Sequence, residues 1–197
     1  MPTWMFFIYA LLCYLLGAIP TAYIVVKRLT GLDIRAHGSG NVGATNVKRV
    51  AGAGPARFVL IVDGLKGFLP VLASQVLFPQ HTVWHVIFAA LCLIGHSKSV
   101  FINFKGGKGA ITGLGTMFAL VPAASLIAAV VALIVFKLTR IVSVATISAC
   151  LVVPITCWLL NVPDAYLIYA CAAAVLVIVL HRSNISRLLK GQEGRLT

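Results

Sequence analysis

The chain has 197 residues, of which 60% are hydrophobic and only 10% are charged. A soluble globular protein carries about a quarter charged residues, so the composition excludes a soluble fold and intrinsic disorder and indicates an integral membrane protein. The charges are unequal, with 16 Lys and Arg against 4 Asp and Glu, and this excess favours anionic partners such as phospholipid headgroups or a phosphorylated substrate.

Apolar runs recur along the chain at lengths near the 20 or so residues that a membrane-spanning helix needs. The first covers residues 1–26. Because it lacks a basic start and is too long for a signal peptide, we interpret it as a retained helix. The later runs cover residues 58–78, 82–95, 110–136, 141–160 and 165–180. Pro122 interrupts the run at 110–136, which could form one tilted helix or two short ones.

The basic residues decide between these two possibilities, because cytoplasmic loops are rich in Lys and Arg. All of them except Lys66 lie in four polar segments, which cover residues 27–57, 98–108, 137–140 and 181–197. Two helices separated near Pro122 place all four segments on one side. The sequence therefore predicts an all-α, seven-transmembrane helix bundle that forms a single domain over residues 1–197. Its N-terminus is outside, its C-terminus is cytoplasmic, and the helices at 110–121 and 122–136 are short.

The first cytoplasmic segment contains a glycine-rich loop with the residue pattern of an anion-binding site. Glycines let backbone N–H groups approach a ligand closely, and Arg49 can hold an oxyanion by two parallel hydrogen bonds. The candidate residues are Ser39, Gly40, Asn41, Gly43, Thr45, Asn46 and Arg49. The alternative is a connecting loop with ordinary turn chemistry. We favour the binding site, because a structureless loop of about 30 residues is usually functional.

The second segment places Gly-Gly-Lys-Gly immediately before a predicted helix, where free N–H groups and a lysine charge would suit a phosphate. Its candidate residues are Lys105, Gly106, Gly107 and Lys108. Either lysine can contact the phosphate, and we favour Lys108. Ile102 and Gly109 stand where a nucleotide-binding P-loop needs Gly and Ser or Thr, so nucleotide hydrolysis is not indicated. The alternative is a basic anchor for acidic lipids.

The third segment carries His181, Asn184 and Arg187, which share one face if the preceding helix continues through them. The alternative is an amphipathic tail that lies on the membrane surface. Glu193 is the sole glutamate, and we interpret it as a structural ion-pair partner. Ser143 follows a basic link and could either reach the same cytoplasmic site or bond to its own helix.

Several catalytic and cofactor patterns are missing from the sequence. No histidine is followed five positions later by aspartate, the pair that many acyltransferases use as a general base. Four acidic residues make a paired-carboxylate site or an oxygen-ligand metal site implausible. No cluster of Cys and His has zinc spacing. We therefore expect neither a metal nor a cofactor.

Four stretches of the chain match one known family in order and spacing. They are Gly38-Ser39-Gly40-Asn41-x-Gly43-Ala44-Thr45-Asn46, Asp63-x-x-Lys66-Gly67-x-x-Pro70, Gly95-His96 through Phe104-Lys105-Gly106-Gly107-Lys108-Gly109 to Thr112, and His181-Arg182-x-Asn184-Ile185 to Gly191-x-Glu193. With them the chain resembles, from about Leu15 to Glu193, the bacterial acyl-phosphate:glycerol-3-phosphate acyltransferases, the PlsY family. Ser99 stands where that family usually has a proline, and Ala110-Ile111 replaces a usual Val-Ala; both are packing positions.

The resemblance implies an enzyme that moves a fatty acyl group from acyl phosphate to the 1-hydroxyl of glycerol 3-phosphate. The products are lysophosphatidic acid and phosphate, in the first step of phospholipid synthesis. By resemblance, Ser39, Arg49 and the loop amides hold one phosphate, and the residues of the second segment hold the other. His181 and Asn184, together with Lys108, form the catalytic set. The general base is either His181 or a substrate phosphate oxygen, and we favour the phosphate.

The implied location is the bacterial cytoplasmic (inner) membrane, with the active site on the cytoplasmic face. The expected partners are the two substrates and membrane lipids, with no nucleic acid and no obligate protein partner. A transporter for an organic phosphate is the rival interpretation, since it would also use glycine loops and broken helices. It is disfavoured because almost all candidate polar residues fall on one predicted face, whereas a transporter needs access from both.

Overall fold

The structure, a computed structural model, describes residues 2–196, which contain ten α-helices, two short 3-10 helices and no strand. The α-helices are α1 (Thr3–Ala18), α2 (Thr21–Thr30), α3 (Ala44–Ala51), α4 (Ala53–Leu77), α5 (Thr82–Ser97), α6 (Ala110–Leu120), α7 (Pro122–Thr139), α8 (Val142–Leu159), α9 (Asp164–Leu180) and α10 (Arg182–Leu189). The 3-10 helices are Ile34–Ala36 and Val100–Ile102. The chain forms two compact units that divide after Ala119.

The first unit depends on glycines that let helices approach closely. α1 packs against α5, where a Cβ atom on Gly17 would collide with the backbone of Cys92. On α4, Gly67 lies directly against the Thr112 carbonyl of α6. Farther along α6, Gly115 lies against the Gly64 carbonyl of α4. Small residues at such crossings are typical of membrane helix pairs. They hold α4 and α6 together just beyond the second glycine-rich segment.

The second unit contains α7, α8, α9 and α10. α8 packs against both α7 and α9. The chain bends by 58° between α9 and α10, at His181. The helix therefore does not continue straight through the third segment, which was the condition for a face shared by His181, Asn184 and Arg187.

Four segments of the described chain are long and apolar enough to cross a membrane: Thr3–Thr30, Thr82–Ile102, Pro122–Thr139 and Val142–Leu159. The bent pair of α9 and α10 makes a fifth if it counts as one span. The protein is therefore a multi-pass helical membrane protein by length and composition, and the count of seven spans stays a prediction.

Two helix boundaries correct the sequence interpretation. α6 ends at Leu120 and α7 begins at Pro122, which confirms the break. However, α7 is not short: it has 18 residues and includes Lys137, which we had placed in a link. It ends at Thr139, and the next residue, Arg140, has a left-handed φ of 60°. The first apolar run is likewise divided, since α1 ends before Ile19 and Pro20, a residue without a backbone N–H.

Candidate functional site

The first glycine-rich loop, residues 37–46, is organised by one buried side chain. Asn46 is 1% exposed, and its Oδ1 accepts a hydrogen bond from the Ser39 N–H at 2.9 Å. Its Nδ2 donates to the carbonyls of His37 and Asn41, both at 3.0 Å, and to that of Ile34 at 3.3 Å. Asn46 thus fixes the loop through its backbone. Its amide is therefore occupied by the loop's own backbone, whereas the sequence pattern placed Asn46 among the residues that bind the anion.

The backbone of this loop adopts left-handed conformations at two glycines. Gly38 and Gly40 have φ values of 59° and 70°, in the left-handed region that residues with a Cβ avoid. A Cβ atom on Gly38 would also collide with Asn46 Oδ1. The loop leads through Gly43 into α3, which begins at Ala44. Ser39 is exposed, and Arg49 is exposed in the last turn of α3.

The second glycine-rich loop, residues 103–109, lies between the 3-10 helix Val100–Ile102 and the start of α6. Its backbone is tied to the end of α5, since the Gly107 N–H donates to the His96 carbonyl at 3.0 Å and the Gly106 N–H to that of Ser97 at 3.2 Å. Gly109 has a φ of 77° and lies directly before α6. The predicted arrangement of a glycine loop followed by a helix start is therefore confirmed. Lys105 is exposed and Lys108 is partly buried.

The two loops meet at Gly107. Gly107 is buried, and a Cβ atom placed on it would lie 2.6 Å from the Val42 carbonyl of the first loop and would collide with the His96 imidazole. No residue with a side chain fits there without displacing one of the two loops. The structure thus brings together two segments that lie about 60 positions apart, because loops distant in sequence can share one site once the helices pack.

Beside this junction lie three buried ionisable side chains. Asp63 and Lys66 are one turn apart on α4 and form an ion pair, with Lys66 Nζ 2.7 Å from Asp63 Oδ1. His96 Nδ1 lies 3.9 Å from the same oxygen. The sequence interpretation gave His96 no role. Its position directly after Gly95 in a matching stretch was the available signal.

In the second unit, polar side chains gather around Glu193. Its Oε1 accepts hydrogen bonds from Ser143 Oγ at 2.8 Å and from Asn184 Nδ2, and its Oε2 pairs with Arg187 Nε at 2.7 Å. Burial raises the pKa of the Glu193 carboxyl, but the hydrogen bonds from Asn184, Ser143 and Arg187 outweigh it and lower the pKa below its ordinary value. Glu193 is thus the ion-pair partner we expected, and it holds Ser143 and Asn184.

His181 lies at the bend between α9 and α10 and is 6% exposed. Its Nδ1 is 2.8 Å from the Val177 carbonyl. A carbonyl only accepts hydrogen bonds, so Nδ1 carries the proton. That bond fixes the tautomer and makes Nε2 the nitrogen that gains or loses a proton.

Of the predicted residues, those of the first two segments lie in the first unit, where their loops touch. Those of the third segment, together with Ser143, lie in the second unit. Among the described residues, no group of three or more His, Cys, Asp or Glu could hold a metal ion.

The chain is similar to known proteins over nearly its whole length. Residues 7–191 match the family described as glycerol-3-phosphate acyltransferase. A glycerol-3-phosphate acyltransferase of Synechococcus sp. (strain JA-3-3Ab) is 44% identical over 198 residues, covering 100% of this chain and 96% of the relative. One from Clostridium acetobutylicum is 40% identical over 186 residues, covering 91% and 94%.

Two solved structures share the fold. They are crystal structures of PlsY (YgiH), an integral membrane glycerol 3-phosphate acyltransferase, in a glycerol 3-phosphate form and a lysophosphatidic acid form. Each is 37% identical and covers 98% of this chain and 96% of the other, with TM-scores of 0.94 and 0.90.

Proposed function

The chain belongs to the glycerol-3-phosphate acyltransferase family, and we propose that its glycine-rich loops and its His181 segment carry out this family's reaction. The protein moves a fatty acyl group from acyl phosphate to the 1-hydroxyl of glycerol 3-phosphate. The hydroxyl oxygen bonds to the acyl carbon, the bond from that carbon to the phosphate oxygen breaks, and phosphate leaves. The ester product is lysophosphatidic acid.

The observation that carries this proposal is the meeting of the two loops at Gly107, in the loop that leads into α6. Both substrates carry a phosphate, and backbone N–H groups with nearby cations are the chemistry that binds phosphate. In support, the two similar PlsY structures are named for a glycerol 3-phosphate form and a lysophosphatidic acid form. Substrate and product of the proposed reaction thus correspond to those two forms.

We assign the residues of the first unit to phosphate binding. The first loop contributes the backbone and side chains of Ser39, Gly40, Asn41, Gly43 and Thr45, with Arg49 as its cation and Asn46 holding its shape. The second loop contributes Gly106, Gly107 and Lys108, with Lys105 as a more exposed cation. Acyl phosphate already has a good leaving group, so neutralising charge and placing the substrates are the main tasks of the site.

In the second unit, His181 and Asn184 orient the hydroxyl or stabilise the developing oxyanion, and Ser143 is held beside Asn184 through Glu193. The hydroxyl proton passes either to His181 Nε2 or to a substrate phosphate oxygen. We favour the phosphate oxygen, because the sequence offers no carboxylate paired with a histidine as a base.

For the membrane arrangement we propose seven spans, with the N-terminus outside and the C-terminus inside the cytoplasmic membrane of a bacterium. α4 and α6 then join the five segments that meet the length and hydropathy requirement. The distribution of Lys and Arg supports a cytoplasmic site. Cysteine labelling of single-cysteine variants at each predicted loop, in intact and broken cells, tests each assignment.

The test of function uses protein purified in detergent, palmitoyl phosphate and radiolabelled glycerol 3-phosphate, with palmitoyl-CoA in a parallel reaction. We expect labelled lysophosphatidic acid from palmitoyl phosphate alone. Product from palmitoyl-CoA only would overturn the assignment of acyl phosphate as the acyl donor. No product from either, in protein that still binds glycerol 3-phosphate, would favour the transporter alternative, which uptake into liposomes then tests.

A further inference from the structure

The Asp63, Lys66 and His96 cluster has no part in the proposed binding and chemistry. All three side chains are at least nine-tenths buried, with exposures of 5%, 7% and 8%. Burying charge is costly unless the charges are paired. Here Lys66 Nζ lies 2.7 Å from Asp63 Oδ1, and it also donates to the Ile19 carbonyl at 2.9 Å, at the break between α1 and α2. Because burying these ionisable side chains is costly, we expect the cluster to have a structural role.

His96 connects this cluster to the phosphate-binding loop. Its carbonyl accepts the Gly107 N–H at 3.0 Å, and its ring fills the space beside the Gly107 Cα atom. The ring in turn lies against Asp63, with Nδ1 3.9 Å from Oδ1. A movement of the ring would therefore move Gly107 and its contact with Val42.

The same turn of α4 also holds the far end of the loop. Thr112 Oγ1, in the first turn of α6, donates to the Asp63 carbonyl at 2.9 Å, and Gly67 lies directly against the Thr112 carbonyl. The segment from Asp63 to Gly67 thus lies against His96, in the last turn of α5 before the loop, and against Thr112, just after the loop. It is placed to fix both ends of the loop at once.

A cavity of about 10 Å³ adjoins the cluster and is lined by Thr21, Asp63, Lys66, His96 and Gly107 among others. This is about the volume that one water molecule needs. Thr21 Oγ1 and His96 Nδ1 have no hydrogen-bond partner among the described residues. A separation of 3.9 Å between His96 and Asp63 is one that a water molecule bridges.

We propose that Asp63, Lys66 and His96 are positioning residues that hold Gly107 against Val42 and so keep the phosphate-binding backbone in register, with one water molecule in the cavity joining His96 to Asp63. This rests on the proposed function. The cluster does not touch substrate in this proposal, and it acts through the geometry of residues 105–109.

The test compares His96→Gln with the double variant Asp63→Asn/Lys66→Met, which removes both charges together and so leaves no buried charge unpaired. His85→Gln is the matched control. His85 is also on α5, is 2% exposed, and has its ring Nε2 2.8 Å from the Phe78 carbonyl, away from the loop. The readouts are KM for each substrate, kcat, and the thermal midpoint.

We expect both cluster variants to raise KM for one phosphate-bearing substrate by about tenfold or more, with kcat within about threefold of wild type. His85→Gln should lower the thermal midpoint and leave both KM values unchanged. Unchanged KM values in the two cluster variants, or an equal rise in His85→Gln, would overturn the proposal. A high-resolution crystal structure with no water in the cavity would overturn the bridge.

Failure of the proposed function can be distinguished from failure of the positioning proposal. Binding of glycerol 3-phosphate and of inorganic phosphate is measured by calorimetry on the same proteins. If wild type binds either anion without turnover, a weaker Kd in the cluster variants alone still supports positioning, and equal Kd values overturn it. A wild-type protein that neither turns over nor binds either anion would overturn both proposals.

Discussion

The backbone of Gly107 is packed against the imidazole of His96 with no room for a Cβ atom between them. The same glycine lies against the Val42 carbonyl of the other loop. Gly107 therefore sets how closely the second loop approaches both the first loop, at Val42, and the end of α5, at His96.

The first prediction follows from this contact. We expect Gly107→Ala to lower kcat/KM by at least about tenfold, because overpacking at a rigid site costs about 1–3 kcal/mol and here displaces the loop. Steady-state kinetics with both substrates measures it. Gly54→Ala is the control, since a Cβ atom on Gly54 meets nothing within 4 Å. Equal activity of the two variants would contradict the prediction.

Asn46→Ala should disorganise the first loop. It removes one acceptor and one donor group that together bond to four backbone groups, and each lost hydrogen bond is worth about 1 kcal/mol. We expect a loss of about 2–4 kcal/mol in unfolding free energy with a large fall in activity. Asn46→Asp should be similarly impaired, since its carboxylate would face carbonyl oxygens. A thermal midpoint and activity like those of wild type in either variant would argue against this role.

The two lysines of the second loop, Lys105 and Lys108, should differ in how much their removal lowers activity. We expect Lys108→Ala to lower kcat/KM by about a hundredfold or more, the size typical of losing one charge-stabilising group. The effect of Lys105→Ala should be smaller, because Lys105 is exposed. Lys98→Ala, at an exposed position before the loop, is the control for loss of a positive charge. A larger effect at Lys105 than at Lys108 would reverse the assignment.

The pH–rate profile of His181→Gln should separate the two proton acceptors. If a substrate phosphate oxygen takes the proton, as we propose, the variant has a lower kcat but keeps the ascending limb of the profile. Loss of that limb, with the wild-type profile rising near the ordinary histidine pKa of about 6.5, would make His181 the base. The comparison needs both substrates saturating at every pH.

Glu193 should make stability depend on pH in acid. Its pKa is lowered in the folded protein from an ordinary value of 4.5, so its stabilising effect is present above that value and is lost as the pH falls through the folded pKa. We expect Glu193→Gln to have a lower thermal midpoint than wild type at pH 7. The difference should shrink as the pH falls below about 4.5. A difference in thermal midpoint that stays constant across this pH range would show that the Glu193 carboxylate charge does not cause the stabilisation.

Composition and local pattern determined much of this protein without any structure. The hydrophobic content required membrane helices, Pro122 predicted the break before α7, and the glycines around Lys108 predicted a loop ahead of α6. These are local effects, because proline and glycine act on the backbone at their own positions. The same local signals misjudged the end of α7, where the helix continues through Lys137 to Thr139.

Only the tertiary structure decided how the side chains are used. Asn46 was a candidate anion-binding residue in the sequence, yet packing buries it, and its amide bonds to the loop's own backbone. His96 stood in a matching stretch but was given no role, and its role depends on α4 bringing Asp63 to one side of its ring and the loop bringing Gly107 to the other. The partners of these residues come from segments distant in the chain, and the periodicity of the sequence does not predict such contacts. The sequence therefore indicated which residues carry chemistry, and helix packing determined which of them meet.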